Sequence, residues 1–105
     1  MKDKSYIIQL IKTSVGHTEP NATLILYGSF ARGDYRDNSD LDILVLVDKD
    51  KITRLDQKRI KYPLYDIEFD TGTIISPLVF SRKDWETKHR NTPFYENVYK
   101  EGKIL

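Results

Sequence analysis

Residues 28–47 read GSFARGDYRDNSDLDILVLV and hold the most informative pattern in this chain. The stretch begins with Gly28 and Ser29, and after ten further residues it reaches Asp40 and Asp42 at the start of an apolar run. A glycine directly after a buried strand lets the backbone approach a ligand closely. A serine hydroxyl and the amides that follow it at a helix start can cradle a phosphate. The pattern therefore predicts a phosphate-binding corner.

The two aspartates lie two positions apart at the entrance of a predicted strand. Such residues point to the same face of a strand, with Cα atoms about 6.6 Å apart, so Asp40 and Asp42 place two carboxylates side by side. Like charges at the edge of a core repel each other and resist desolvation, and a hard cation such as Mg²⁺ relieves both effects. Alternatively, both side chains face solvent or pair with Arg32 or Arg36. The Asp-x-Asp spacing alone leaves these alternatives open.

Two better-known phosphate-binding motifs do not fit this chain. Gly28 and Gly33 have the spacing of a Walker loop, but Asp34 stands where that loop requires lysine. The G-x-G-x-x-G fingerprint of dinucleotide-binding proteins is absent from the sequence. The phosphate-binding prediction therefore depends on the glycine-serine pair and the aspartates together.

The combined motif resembles that of a known superfamily. Residues 28–34, GSFARGD, and residues 39–43, SDLDI, resemble the signature of the DNA polymerase β-like nucleotidyltransferases, a Gly-Ser pair followed after about ten residues by Asp-x-Asp among hydrophobic residues. The short length and the segments SPLV (76–79) and PFYENV (93–98) resemble the minimal nucleotidyltransferase group of bacteria and archaea. The resemblance covers nearly the whole chain.

The resemblance implies transfer of a nucleotide, AMP from ATP, with Mg²⁺ as cofactor. Gly28, Ser29 and Arg32 would bind the triphosphate. Asp40 and Asp42 would be the catalytic pair that holds the metal. The implied fold is of the α+β class, with a small mixed β-sheet packed with helices, as in the polymerase β-like nucleotidyltransferases.

Many members of the superfamily have a third carboxylate on a neighbouring strand, and its position here depends on residues 51–70. A stripe of apolar residues favours a helix there, although Pro63 should break or kink it. Residues 64–69 could instead form a strand, in which case Asp66, ahead of Glu68, is the candidate third metal ligand. If the segment is helical, the next strand presents Ser76 with apolar neighbours, and no carboxylate fills the role.

The resemblance also implies a partner. Members of this group are commonly the antitoxin of a pair whose toxin is a HEPN-domain ribonuclease, and they neutralise it by adenylylating a tyrosine and by forming a complex. An alternative is an antitoxin that has lost catalysis and acts by masking its partner. A glycosyltransferase or small nuclease that uses Asp-x-Asp is disfavoured because it leaves the glycine-serine pair unexplained. A homo-oligomer is compatible with all of these.

Periodicity and turn residues predict the order α-β-β-α-β-α-α. The apolar spacing in the first helix ends before Gly16, Pro77 indicates an edge strand or a bulge, and Ser81 and Thr92 are candidate N-caps. The predicted elements are a helix at 4–15, a strand at 23–27, a helical turn at 29–32, a strand at 40–47, a helix at 51–70, a strand at 73–80 and helices at 81–89 and 92–102.

Length and composition set the remaining limits. A chain of 105 residues fits a single domain, 1–105. Its net charge of +1 argues against strong nucleic-acid binding, and the lack of cysteine excludes disulfides and thiolate chemistry. No apolar run is long enough to span a bilayer, and residues 1–5 do not begin a signal peptide. We therefore expect a cytoplasmic protein.

Overall fold

The computed structural model describes residues 4–105, so most of the N-terminal segment considered for a signal peptide lies outside the described residues. A four-stranded sheet and five helices make up this part of the chain. The elements are α1 (Ser5–Thr18), β1 (Thr23–Tyr27), α2 (Ser29–Arg32), β2 (Leu41–Val47), α3 (Arg54–Thr71), β3 (Ile75–Ser81), α4 (Arg82–Thr87), α5 (Pro93–Glu101) and β4 (Lys103–Ile104).

The sheet has the strand order β3-β2-β1-β4. β2 runs parallel to β3 and antiparallel to β1, and β4 pairs antiparallel with the other edge of β1. The sheet is therefore mixed, as the sequence predicts. Pro77 lies in the edge strand β3, where its missing N–H does not interrupt pairing with a further strand.

Helices cover both faces of the sheet because β2 is apolar on both faces. Leu41, Ile43, Val45 and Val47 belong to one buried cluster with side chains of α1 and α3. The residues between them face the opposite side, where Leu44 and Leu46 pack with α4 and α5 through Trp85, Tyr95 and Val98. Asp42 belongs to this second set by its position in the strand. Trp85 and Tyr95 are thus core residues and Phe94 packs against them, whereas Tyr99 is 72% exposed.

The segment that was ambiguous in sequence is one continuous helix, α3, and the strand alternative for residues 64–69 is wrong. The helix begins at a capping box in which Thr53 and Asp56 bond each other's backbone N–H, and it ends at Gly72. Pro63 lies inside it. Ile60 and Leu64 flank the proline and are fully buried, and each contributes about 1.5–3 kcal/mol. Together they offset the roughly 3 kcal/mol that an internal proline costs.

Two further expectations differ from the structure. The first helix continues past Gly16 to Thr18, since a mid-helix glycine costs only about 1 kcal/mol and Val15 is buried in the core. The two-residue strand β4 was not predicted, because it is too short to show a period. The predicted N-caps are confirmed: the hydroxyls of Ser81 and Thr92 accept backbone N–H bonds at the starts of α4 and α5.

No helix among residues 4–105 has the length and apolar character needed to cross a membrane.

Candidate active site

The sheet register places three side chains in one row at the end of the sheet. Asp42 pairs with Tyr27 of β1 on one side and with Ser76 of β3 on the other. Asp42 points away from the α1 and α3 layer because its neighbours Leu41 and Ile43 are buried in that layer. Asp40 precedes β2 and is exposed, and its carboxylate accepts a 3.4 Å hydrogen bond from the Ser76 hydroxyl. The row is therefore polar at its open end.

Gly28 meets Asp42 directly. It follows β1 with φ 74° and ψ −154°, a conformation that is open essentially to glycine alone. A Cβ at this position would overlap the Asp42 Oδ2 atom and lie 3.2 Å from its carboxylate carbon. The close approach that the sequence predicts is therefore made by the backbone at Gly28, and it is made towards a catalytic candidate.

The short helix α2 fixes the glycine-serine corner against the core. Phe30 and Ala31 are buried, and the Phe30 ring stacks on Tyr35 at a centroid distance of 4.2 Å. Gly33 ends the helix in the left-handed conformation, and its N–H donates to the Ser29 carbonyl. Ser29 thus lies at the first helical position beside Gly28, as expected, on a corner held by packing.

Arg32 extends from α2 and pairs with two carboxylates. Its Nε donates to Asp34 at 3.3 Å, and its Nη1 donates to both oxygens of Glu101 at 3.2 Å. Within the described residues, neither Asp40 nor Asp42 forms an ion pair with an arginine. Pairing with Arg32 or Arg36 therefore does not account for the aspartates.

Glu101 is the residue that sequence reasoning missed. It is the last residue of α5, and its Oε1 also accepts a 3.3 Å hydrogen bond from the Gly28 N–H. The Glu101 carboxylate thus accepts hydrogen bonds from the Gly28 N–H and the Arg32 guanidinium, two groups that the sequence assigns to phosphate binding. No local pattern could have revealed this, since 73 positions separate the two residues along the chain.

The electrostatics of the site favour a cation. Partial burial, the charge of Asp40 and the charge of Glu101 raise the pKa of the Asp42 carboxyl, and Arg32 opposes the shift. Burial and the charge of Asp42 raise the pKa of Tyr27 to about 12. The carboxylates thus gather more negative charge than Arg32 offsets. Oxygen donors with excess negative charge are the ligand set that Mg²⁺ prefers, so the residues fit this metal.

The third carboxylate has no counterpart on the neighbouring strand. β3 presents Ser76 beside Asp42, as expected if residues 51–70 form a helix. Asp66 lies on the exposed side of α3, and the strand on which its selection depended does not exist. In the part of the chain that the structure describes, no group of three or more acidic or histidine side chains is arranged to hold a metal.

Comparison with known proteins agrees with this geometry. A family model described as a nucleotidyltransferase domain matches residues 8–98. The chain belongs to this nucleotidyltransferase family. The nucleotidyltransferase is also 39% identical over 85 residues to a Methanocaldococcus jannaschii protein named "Putative protein adenylyltransferase", covering 78% of this chain and 75% of that one.

Solved structures confirm the predicted fold. One described as a "putative minimal nucleotidyltransferase" superposes with a TM-score of 0.62 at 24% identity, over 99% of this chain and 97% of that one. A toxin–antitoxin structure solved with AMP-PNP superposes with a TM-score of 0.61 at 19% identity, over 98% of this chain and 72% of that one. The predicted family and the mixed α+β class are therefore both confirmed.

Proposed function

We propose that this nucleotidyltransferase transfers AMP from Mg²⁺-bound ATP to a hydroxyl side chain of a partner protein. The observation that carries the proposal is the close approach of Gly28 to the Asp42 carboxylate. It brings the corner proposed to bind phosphate close to the carboxylate proposed to hold the metal. The relative named as a protein adenylyltransferase and the toxin–antitoxin structure with AMP-PNP support the choice of ATP and of a protein acceptor.

Each site residue has a role in this proposal. The Gly28 N–H, the Ser29 hydroxyl and the Arg32 guanidinium bind triphosphate oxygens, in place of the Glu101 carboxylate that two of them hold now. Asp40 and Asp42 hold Mg²⁺. When bound, the metal neutralises phosphate charge and makes the acceptor hydroxyl a better nucleophile.

The reaction exchanges a phosphoanhydride bond of ATP for a phosphoester bond to the acceptor. The acceptor hydroxyl loses its proton to solvent as its oxygen bonds to the α-phosphorus, the bond from that phosphorus to the β-phosphate oxygen breaks, and pyrophosphate leaves. The protein contributes by positioning ATP and the acceptor, because the triphosphate of ATP already supplies the reactive phosphorus and the leaving group. The corner at Gly28 and Ser29 binds the nucleotide donor, ATP, in this proposal. The acceptor hydroxyl comes from a second protein.

The partner proposed here is a toxin, and by resemblance a HEPN-domain ribonuclease. Two solved relatives in fold are described as toxin–antitoxin structures, one of them with AMP-PNP. An antitoxin that works by transfer alters its partner permanently, whereas one that works by masking must remain bound.

The test uses ATP labelled at either the α- or the γ-phosphate, incubated with this protein, Mg²⁺ and the candidate toxin. The proposal expects label on the toxin from α-labelled ATP only, its loss in EDTA, and its loss in Asp42→Asn. Asp37→Asn is the matched control, since Asp37 is an exposed acid of the loop that precedes β2. Label from the γ-phosphate, or equal labelling by the double variant Asp40→Asn, Asp42→Asn, would overturn the proposal.

A second candidate is a masking antitoxin without catalysis. The observation in its favour is Ser76, which stands beside Asp42 where many relatives in the superfamily have a carboxylate. It is selected if the double aspartate variant still neutralises the toxin and no ATP is consumed.

A further inference from the structure

The outward face of α3 carries a stripe of exposed apolar side chains. Leu55, Tyr62 and Phe69 recur every seven residues, and Tyr65 lies beside Tyr62 with a ring centroid distance of 6.5 Å. Leu55 is 73% exposed and Phe69 is 89% exposed. The opposite face of the helix is already buried through Ile60 and Leu64. The stripe is therefore not needed for the core of this chain.

Seven-residue spacing keeps the stripe almost straight. A helix turns about 100° per residue, so the direction drifts by only about 20° over each interval of seven. α3 has 18 residues and is about 27 Å long. Regular spacing over that length is the pattern of a helix that packs against another helix.

Charge is divided along the same helix. Its first half contains four basic residues and one acidic residue, and its second half contains three acidic residues and no basic residue. Arg54 and Lys58 in the first half and Asp66 and Asp70 in the second are exposed. None of these four takes part in an ion pair within residues 4–105. The helix therefore presents a basic half and an acidic half to solvent.

We propose that the outward face of α3 is the interface with a second copy of this chain, with the two α3 helices antiparallel about a two-fold axis near Tyr62. In that arrangement the basic half of each helix lies against the acidic half of the other. A parallel arrangement would place like charges together, which is destabilising. The same patch serves both copies, as a two-fold interface requires. Charge complementarity with itself thus selects a second copy as the occupant.

The available area sets the expected strength. An aromatic side chain buries about 150–250 Å² when fully covered. Three partly exposed aromatic rings, Leu55 and the stems of the charged side chains give on the order of 500–800 Å² per copy, close to the lower limit of a stable interface. We therefore expect a dimer that dissociates at micromolar concentrations.

The dimer would leave the active site open. α3 packs on the face of the sheet that includes Leu41 and Ile43, whereas Asp42 and Ser76 belong to the opposite face. A partner protein could thus reach the nucleotide site of each copy. The inference does not rest on the proposed function, and a failure of one leaves the other standing.

Sedimentation equilibrium over a range of concentrations tests the interface. The wild type is expected to dimerise, and Phe69→Ser is expected to weaken dimerisation about tenfold or more, because it removes the most exposed apolar side chain of the stripe. Ile104→Ser is the matched control, because Ile104 is 76% exposed on β4. β4 is the edge strand opposite β3, the strand that α3 contacts. A wild type that stays monomeric, or a dimer unaffected by Phe69→Ser, overturns the proposal.

A charge exchange tests the antiparallel geometry. Lys58→Glu and Asp66→Lys, each made alone, place like charges across the interface and should weaken the dimer. The double variant restores opposite charges and should regain most of the wild-type affinity. Circular dichroism of each variant verifies the fold. A double variant weaker than both single ones overturns the geometry.

Discussion

Replacing Gly28 with alanine perturbs the point where the corner proposed to bind the nucleotide meets Asp42, the carboxylate proposed to hold the metal. The backbone there, with φ 74° and ψ −154°, disfavours any Cβ by about 1–3 kcal/mol. The added Cβ would also overlap Asp42 Oδ2 and lie 3.2 Å from the carboxylate carbon. The Asp42 side chain must therefore rotate away from the corner.

Gly72→Ala is the control that separates these two effects. Gly72 also has a positive φ, 76°, with ψ 4°, and a Cβ there meets no atom within 4 Å. Alanine in this left-handed conformation costs about 1–2 kcal/mol. Both variants should thus lose folding stability through backbone strain, measured by urea unfolding, and only Gly28→Ala should move a site residue.

The assay is calorimetric titration with a nonhydrolysable ATP analogue, with and without Mg²⁺. The wild type and Gly72→Ala should bind more tightly with Mg²⁺. Gly28→Ala should lose that gain, weakening binding by about tenfold or more, the equivalent of one contact to a charged group. If Gly28→Ala binds the Mg²⁺ complex as well as Gly72→Ala does, the convergence of Gly28 and Asp42 has no role in binding and the reasoning is refuted.

Three further predictions follow from charges, two of them at the site and one at the start of α3. Asp42→Asn should abolish Mg²⁺-dependent transfer. The same variant should raise the free energy of unfolding in metal-free buffer at pH 7, because burial and Asp40 disfavour the ionised form of Asp42. A lower free energy of unfolding than the wild type in chemical unfolding would contradict this. Glu101→Gln should bind the ATP analogue roughly two- to fivefold more tightly, since it removes the exposed ion pair with Arg32 that would compete with phosphate. Glu96→Gln is the control, and an affinity of Glu101→Gln equal to or weaker than that of the control would contradict this prediction. The Thr53 backbone N–H and then Lys49 lower the pKa of Asp56 to about 2, so the ionised form stabilises the fold. The stability deficit of Asp56→Asn should be complete above pH 4 and shrink as the pH falls towards 2; a deficit that does not change over this range would refute it.

Local patterns predicted most of the fold. Apolar runs locate β1 and β2, helical spacing locates α1 and α5, and hydroxyl caps locate the starts of the last two helices. The errors have physical causes. Gly16 and Pro63 disfavour helix locally, but burial of the residues beside them outweighs that cost. A two-residue strand such as β4 has no period to detect and depends on its pairing with β1.

The site was predictable to the extent that it is local in sequence. Asp42 and Gly28 were expected to share a ligand, and the structure brings them into contact. Glu101 was not foreseen, since only the packing of α5 on the sheet carries it to Gly28 and Arg32. Asp66 was a candidate metal ligand only if residues 64–69 form a strand, and these residues belong to the helix α3. The sequence allowed both structures because the same apolar residues fit both periods over a short stretch.

The most direct measurement is a crystal structure of this nucleotidyltransferase with Mg²⁺ and a nonhydrolysable ATP analogue. We expect the triphosphate against Gly28 and Ser29, the metal bound by Asp40 and Asp42, and the Glu101 carboxylate displaced from the Gly28 N–H. A nucleotide bound elsewhere on the protein, or a metal that neither aspartate contacts, would contradict the account.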